Sequence, residues 1–388
     1  MKDRRERLEI NKLNIGIVGC GWIVEFAHLP ALLKNEGVCV KAVFDTDPDR
    51  ARYIAEKASA AYVFNKFEDF LDCGLDGIII ATPNATHAPY TLEALRRRIG
   101  VLCEKPVALK SSEVDEIIKV CKENRVVYVP GFVNRSRTDI RKMYSVIRDG
   151  KIGDIRLVSA GWLRKNGVPR PGTWFTNRRL SGGGVLVDLG SHVIDICLML
   201  LGNKKLKSAE LFTSCFDQTD PDCLGAAEWF KRGGNAQFEI DVEKTAIISA
   251  HYEDETDLSV KLSWEAPIEA DCTYFRVCGT SGVLELKTLF GFSSDRMWKE
   301  DTLKISSGGQ EEVLHFDMSV NKATEAFERM ISDFCSSLRC GKSLNADCFD
   351  ALKTVDFIER MYLAEKQDKS KVTSALLENQ IGIILSGT

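Results

Sequence analysis

Ile15-Gly16-Ile17-Val18-Gly19-Cys20-Gly21-Trp22-Ile23 starts as an apolar run and turns on glycine where a helical pattern begins. A short apolar run bounded by glycine is the pattern of a buried parallel strand. Glycines at its exit let the backbone approach a pyrophosphate, and the helix behind them offers free N–H groups and a positive dipole end. Val38 to Phe44 reads as the next strand, and Asp45 at its end is placed to accept hydrogen bonds from a ribose 2′-hydroxyl. An acid there repels a 2′-phosphate, so the cofactor expected is NAD in preference to NADP. Gly19, Cys20, Gly21, Trp22, Ile23 and Asp45 are therefore candidate cofactor-binding residues. Gly-x-Gly also occurs in ordinary turns; the strand context and Asp45 separate the two readings. Val24 stands where such loops usually carry a third glycine or alanine, and its bulk is expected to push the helix off the strand.

Outward from this stretch, Gly77 to Ala81, Gly100 to Cys103 and Val126 to Val129 are further apolar runs with helical patterns between them. That alternation predicts an α/β fold that begins with a Rossmann domain, a doubly wound parallel sheet. After Gly150 the texture changes. Ile155 to Leu163, Lys207 to Phe216, Thr245 to Tyr252, Leu258 to Trp264, Phe275 to Gly279 and Val283 to Lys287 read as strands, several alternating with period two. Thr280-Ser281-Gly282 supplies a tight turn, so the second half is expected to be an α+β domain with an open-faced, mainly antiparallel sheet. The open face calls for a cover of helices or of another subunit, hence an expected homodimer or homotetramer. Thr324 to Leu338 and Phe349 to Glu365 return to helical periodicity. The expected division is an N-terminal extension over 1–13, a dinucleotide-binding domain over 14–134, a substrate-binding and oligomerisation domain over 135–366, and a loosely held tail over 367–388.

The 388 residues exceed one ordinary core and suggest two or three domains. A net charge of -4 favours neither nucleic acid nor an anionic membrane as partner. No apolar stretch reaches the length of a membrane span and the polar start lacks a signal-peptide core, which predicts a cytoplasmic protein. The 13 cysteines are odd in number and without recurrent pair spacing, as expected for reduced thiols. With five histidines and no ligand-pair motif, no metal is expected. Cys20 and Cys103 read as small buried hydrophobes.

Two segments carry acid–base chemistry. Glu104-Lys105-Pro106 follows Val101-Leu102-Cys103 at the carboxyl end of a predicted strand, the edge at which open parallel sheets bind ligands. This places the Lys105 ammonium beside the nicotinamide; a plain strand exit stopped by proline is the alternative. Gly182-Gly183-Gly184 leads into Val185-Leu186-Val187-Asp188-Leu189-Gly190-Ser191-His192, apolar nearly all round and continuing to Met199 as one buried helix. Asp188 and His192 are placed on one face, with Asp195 close to it. A glycine inside a helix costs about 1 kcal/mol against alanine, so something is expected to approach Gly190 closely. A core histidine satisfied by its aspartate remains the other reading. Between them, Gly161 to Arg179 reads as a substrate loop: Trp174 and Phe175 suit the C–H face of a sugar, and arginines suit an anionic group. Alternatively the two rings anchor the loop to the core.

Gly19-Cys20-Gly21-Trp22-Ile23, Ala81-Thr82-Pro83-Asn84 with His87, Glu104-Lys105-Pro106, and Gly183-Gly184 leading to Asp188-Leu189-Gly190-Ser191-His192 resemble, in order and spacing, the Gfo/Idh/MocA oxidoreductases. The resemblance runs from about Asn14 to about Ala364. It implies an NAD(P)-dependent oxidoreductase that moves a hydride between nicotinamide and a secondary alcohol or ketone of a sugar, sugar derivative or cyclitol. It also implies that Lys105 positions the reacting hydroxyl, His192 takes and returns the proton, and Asp188 holds the polyol. Thr82, Pro83, Asn84, His87, Glu104 and Lys105 are implied to line the cofactor, with Asn134 on the nicotinamide side. Substrate contacts are assigned to Lys105, Arg135, Trp174, Phe175, Asn177, Asp188 and His192. The chain departs from the family pattern at Val24 and over Val133 to Thr138, where a frequent proline is absent, which leaves the contacts of Asn134 and Arg135 open.

An imidazole of near-neutral pKa suits the proton transfer, and a cation in a water-poor cleft stabilises alkoxide character. Lys105 as the base with His192 as its partner is a second assignment. Two other functions compete: a glycosidase-like enzyme that retains NAD and oxidises the sugar transiently, and a non-catalytic dinucleotide sensor. Retention of Lys105, Asp188 and His192 argues against the sensor.

Overall fold

The computed structural model describes residues 12–214, 240–318, 322–341 and 346–367. The expected N-terminal extension and C-terminal tail lie almost wholly outside the described residues, as does the end of the strand expected to reach Phe216. The chain forms two compact units, Met1–Arg141 with Asp317–Val355, and Lys142–Phe316 with Asp356–Thr388.

In the first unit, β1 (Leu13–Val18), β2 (Val38–Phe44), β3 (Tyr62–Phe64), β4 (Gly77–Ile80), β5 (Gly100–Glu104) and β6 (Tyr128–Gly131) make a parallel sheet in the order β3-β2-β1-β4-β5-β6. Every residue of β4 and β5 is buried, which is why these strands read as continuous apolar runs. The strand order reverses between β1 and β4, so the loop after β1 opens at the topological switch point, where such sheets bind ligands. Helices cover both faces.

The helix Ala323–Cys340 belongs to this unit, although the sequence division had placed it with the second domain. Its Phe327, Ile331 and Phe334 join the core beside Ile15, Ile79 and Leu102. A Cβ on Gly77 would come within 2.9 Å of the Phe334 ring, so the strand start is glycine where this helix presses on the sheet. Burying each such side chain contributes about 1.5–3 kcal/mol, enough to tie the late helix to the early sheet.

The second unit is built on β7 (Ile155–Leu163), β8 (Leu206–Ser214), β9 (Thr245–Tyr252), β10 (Asp257–Ser263), β11 (Cys272–Gly279), β12 (Val283–Thr288), β13 (Thr302–Ser307) and β14 (Gln310–Leu314). Their order is β14-β13-β12-β11-β7-β10-β9-β8, antiparallel except for β7 with β10. Leu258, Val260 and Leu262 of β10 point into the core, and Ser259 and Lys261 to the other face. The sequence reading omits β13, which is mostly part-buried, and β14, which is mostly exposed, neither with a clear alternation. Their signal is Gly308-Gly309, both at positive φ, a two-residue hairpin loop between the paired Ser307 and Gln310.

The helix expected to run unbroken to Met199 is instead two, Val185–Asp188 and Gly190–Leu201, and the segment Arg178–Asp188 meets the second at a bend of 51°. Gly190 is the first residue of the second helix, not mid-helix. What approaches it is Leu262 of β10, whose Cδ1 would lie 3.0 Å from an added Cβ. Among the described residues no single helix is long and apolar enough to cross a membrane; the bent pair passes only when joined.

Candidate active site

The glycine loop is built for close approach. Gly19 has φ +89°, and a Cβ on it would sit 2.5 Å from the Ala81 carbonyl oxygen and 2.9 Å from the Thr82 methyl. Around Gly21 a Cβ would meet nothing within 4 Å, so the loop is open on the side where the helix starts. The helix widens into a π-turn over Val24–His28, and Val24 is wholly enclosed. The wider turn accommodates the bulk of Val24 and directs Glu25 and His28 inward.

Asp45 leaves β2 with one carboxylate oxygen accepting the Cys20 N–H at 2.6 Å and the other accepting the Asp47 N–H at 2.8 Å. Arg50, the neighbouring cation, donates to the Cys20 carbonyl at 2.7 Å and to Glu25 at 3.1 Å. The Cys20 side chain turns inward, and burial pushes its thiol well above the ordinary range; the same holds for Cys103. Trp22 stacks on Phe26 with ring centres 5.1 Å apart, and Ile23 packs against the core.

After β4, Thr82 and Pro83 receive hydrogen bonds from the Thr86 hydroxyl, and Asn84, buried, opens a 3₁₀ turn. His87 was implied to line the cofactor; its ring is enclosed, with Nδ1 2.7 Å from the Pro106 carbonyl oxygen and Nε2 2.8 Å from that of Thr82. After β5, Glu104 accepts the Nε2–H of His28 at 2.7 Å and the Lys105 N–H at 3.1 Å. Lys105 follows, half-buried at the carboxyl edge of the sheet. Asn134 is buried in the 3₁₀ turn after β6. Arg135 donates to Asp347 at 2.8 Å and to Asp350 at 3.0 Å, with its guanidinium 5.5 Å from the Phe132 ring, so it ties the start of the helix Ala346–Gln367 to this unit.

In the second unit, Asp188 ends its short helix and accepts the indole N–H of Trp264 at 3.1 Å. His192 lies half-buried on the next helix, its ring 5.7 Å from that of Trp162. Asp195 is wholly buried rather than at the surface of the site. The loop expected from Gly161 starts later, because β7 continues through Leu163 and buries Trp162. Trp174 and Phe175 stack at 3.8 Å and are each half-buried. Asn177 caps the helix Arg178–Ser181 by accepting the Arg179 N–H at 3.0 Å.

Sequence reasoning missed Glu243. Its buried carboxylate accepts the N–H groups of Gly184 at 2.8 Å and Leu186 at 3.1 Å, the Tyr362 hydroxyl at 2.7 Å and Arg178 at 3.2 Å. Burial raises its pKa against those bonds. It anchors the helix that carries Asp188. The one sequence signal was Gly183-Gly184: a Cβ on the first would collide with the Tyr362 hydroxyl, and on the second with the Glu243 carbonyl. His28 was missed as well, with no local signal beyond a histidine in an apolar helix. Among the described residues no cluster of metal-ligating side chains occurs.

Residues 13–132 match the family described as the oxidoreductase family with an NAD-binding Rossmann fold, and residues 140–285 match the GFO/IDH/MocA C-terminal domain. The chain is 29% identical over 349 residues to a protein of Amycolatopsis mediterranei (strain S699) provisionally named the oxidoreductase subunit of UDP-kanosamine synthase, covering 89% of this chain and 94% of that one. It is 29% identical over 218 residues to D-glucoside 3-dehydrogenase of Escherichia coli (strain K12), covering 56% of this chain and 62% of that protein. Levoglucosan dehydrogenase, solved with NADH and levoglucosan, shares the fold at TM-score 0.77 and 18% identity, over 92% of this chain and 98% of that one. With both halves matched in order, the chain belongs to the GFO/IDH/MocA family of NAD(P)-dependent, sugar-related oxidoreductases.

Proposed function

We propose that this protein is an NAD-dependent dehydrogenase or ketoreductase acting on a secondary alcohol or ketone of a sugar, sugar derivative or cyclitol. The observation that carries it is Lys105, a cation at the carboxyl edge of a doubly wound sheet whose switch-point loop is open at Gly21. The residues present fit a dinucleotide. Gly19 and Gly21 leave room for a pyrophosphate at the helix start, and the fixed Asp45 carboxylate keeps lone pairs for ribose hydroxyls. Arg50 is engaged with Cys20 and Glu25, which supports NAD over NADP. When bound, the nicotinamide supplies hydride acceptance or donation.

Lys105 holds the reacting hydroxyl and favours its deprotonated character. His192 takes the hydroxyl proton during oxidation and returns it during reduction. Asp188, fixed by Trp264, orients polyol hydroxyls or the imidazole. Trp174 and Phe175 offer ring faces to a sugar. Arg135 is omitted from these roles because its guanidinium is engaged with Asp347 and Asp350.

The test is a panel of cyclitols, free sugars, sugar phosphates and nucleotide sugars with NAD and NADP, read by absorbance of the reduced cofactor. Stoichiometric NADH with product supports the dehydrogenase. Turnover of a glycoside without net NADH supports the NAD-retaining glycosidase instead.

A further inference from the structure

His87 is the first residue of the helix His87–Arg96, and 1% of it is exposed. Its two ring nitrogens face two main-chain carbonyl oxygens, of Pro106 at 2.7 Å and of Thr82 at 2.8 Å. Carbonyl oxygens only accept hydrogen bonds, and a neutral imidazole has one N–H and one lone pair. The neutral ring therefore satisfies one carbonyl and turns its lone pair on the other. Only the imidazolium donates to both.

Opposing forces act on that proton, and burial, the largest of them, carries the net shift below the ordinary histidine value. Burial pushes the ring's pKa down, and so do the Lys105 ammonium and the positive helix start. The two carbonyls and Glu104 push it up. Glu104 and Lys105 are the charged groups that act on it most strongly.

The position of the ring gives the proton a consequence. Thr82 leaves β4 and Pro106 leaves β5, adjacent strands paired up to Ile80 and Cys103. His87 thus joins two neighbouring strand exits at the ligand-binding edge of the sheet. On the other flank, His28 holds the Glu104 carboxylate at 2.7 Å. Lys105 sits between a residue gripped through its side chain and one gripped through its carbonyl.

We propose, resting on the role assigned to Lys105, that His87 is a positioning residue: doubly protonated it grips both strand-exit loops, and on losing a proton it frees one, so that the placement of Lys105 follows pH.

The test is a pH titration of protein labelled with ¹⁵N in its histidine rings, with the His87 signals identified by their loss in His87→Gln. Both ring nitrogens carry protons at the acid end of the stable range, and one loses its proton as pH rises. The backbone amides of Glu104, Lys105 and Val107 shift with the same midpoint. A single protonated nitrogen at every pH overturns the proton-linked grip.

His87→Gln supplies donors that do not titrate. It lowers kcat on the best substrate of the panel about tenfold and removes from the pH profile the ionisation that shares the titration midpoint. An unchanged profile overturns the positioning role. Full turnover by Lys105→Ala, with the His87 titration intact, overturns the role of Lys105 instead, so the two failures are distinguishable.

Discussion

Trp264, wholly buried at the end of β10, donates its indole N–H to the Asp188 carboxylate at 3.1 Å. In the role proposed for Asp188, this bond from the core side fixes the direction of the carboxylate. Trp264→Phe removes the donor and retains most of the packing. Loss of a hydrogen bond to a charged group costs about 1.5–3 kcal/mol, and the expected result is a fall in kcat/KM of about tenfold or more with the helical circular dichroism retained. Unchanged steady-state kinetics would show that Asp188 does not depend on this bond.

Two glycines of the cofactor loop give opposite outcomes. Gly19→Ala drives a Cβ onto the Ala81 carbonyl at positive φ, so it lowers the unfolding free energy by about 1–3 kcal/mol. Gly21→Ala meets no protein atom and leaves urea denaturation unchanged, yet it weakens NAD binding, measured by fluorescence titration, by about tenfold. Equal affinity for NAD in Gly21→Ala would remove the pyrophosphate from this loop.

Glu25 is buried beneath Arg50, Tyr53 and Lys57. Burial alone would raise its pKa, but the bonds from Tyr53, Lys57 and Arg50 hold it at about 2, below its ordinary 4.5. A depressed carboxylate pKa stabilises the fold above the unfolded value and ceases to do so as pH falls through the folded one. Glu25→Gln therefore costs about 2 kcal/mol at neutral pH, a figure reduced for the partly solvated cations. The gap narrows as pH drops from about 4.5 towards 2. Denaturation curves with a gap constant across that window would refute the assignment.

The outer face of the second sheet carries Ser159, Ser249 and Ser259 in register across β7, β9 and β10, with Arg276 beside Ser159 on β11. We propose that a second copy of the chain covers this face in a homodimer or homotetramer. Light scattering at micromolar concentration returns a multiple of 43.3 kDa, and Ser259→Arg reduces it towards a single chain. A single-chain mass for the unaltered protein would rule this assembly out.

The parallel sheet was legible because β1, β4 and β5 are buried on both faces and so read as unbroken apolar runs. β10 was legible by its alternation, and β13 and β14 were not, the first being part-buried along most of its length and the second exposed, so that neither alternates. Lys105 stands just past a strand end that the local pattern marks, whereas Asp188, read inside one continuous helix, ends a short helix of its own. Their supports lie far off in the chain: Glu243 lies 59 residues from Gly184, Trp264 76 from Asp188 and Glu104 76 from His28. Such partners are set by packing, and only Gly183-Gly184 left a local trace of one. Arg135 was read as a substrate arm because a loop arginine gives no sign of Asp347 and Asp350, carried by a helix more than two hundred positions later.

The most direct test of the central claim is a double-mutant cycle on Lys105→Met and His192→Asn, with kcat measured by NADH absorbance on the best substrate of the panel. If the ammonium and the imidazole serve one transition state, each single change lowers kcat by about 10²–10⁴-fold, and the double change falls little further than the worse single. Losses that multiply, or a near-normal rate in either single variant, would contradict it.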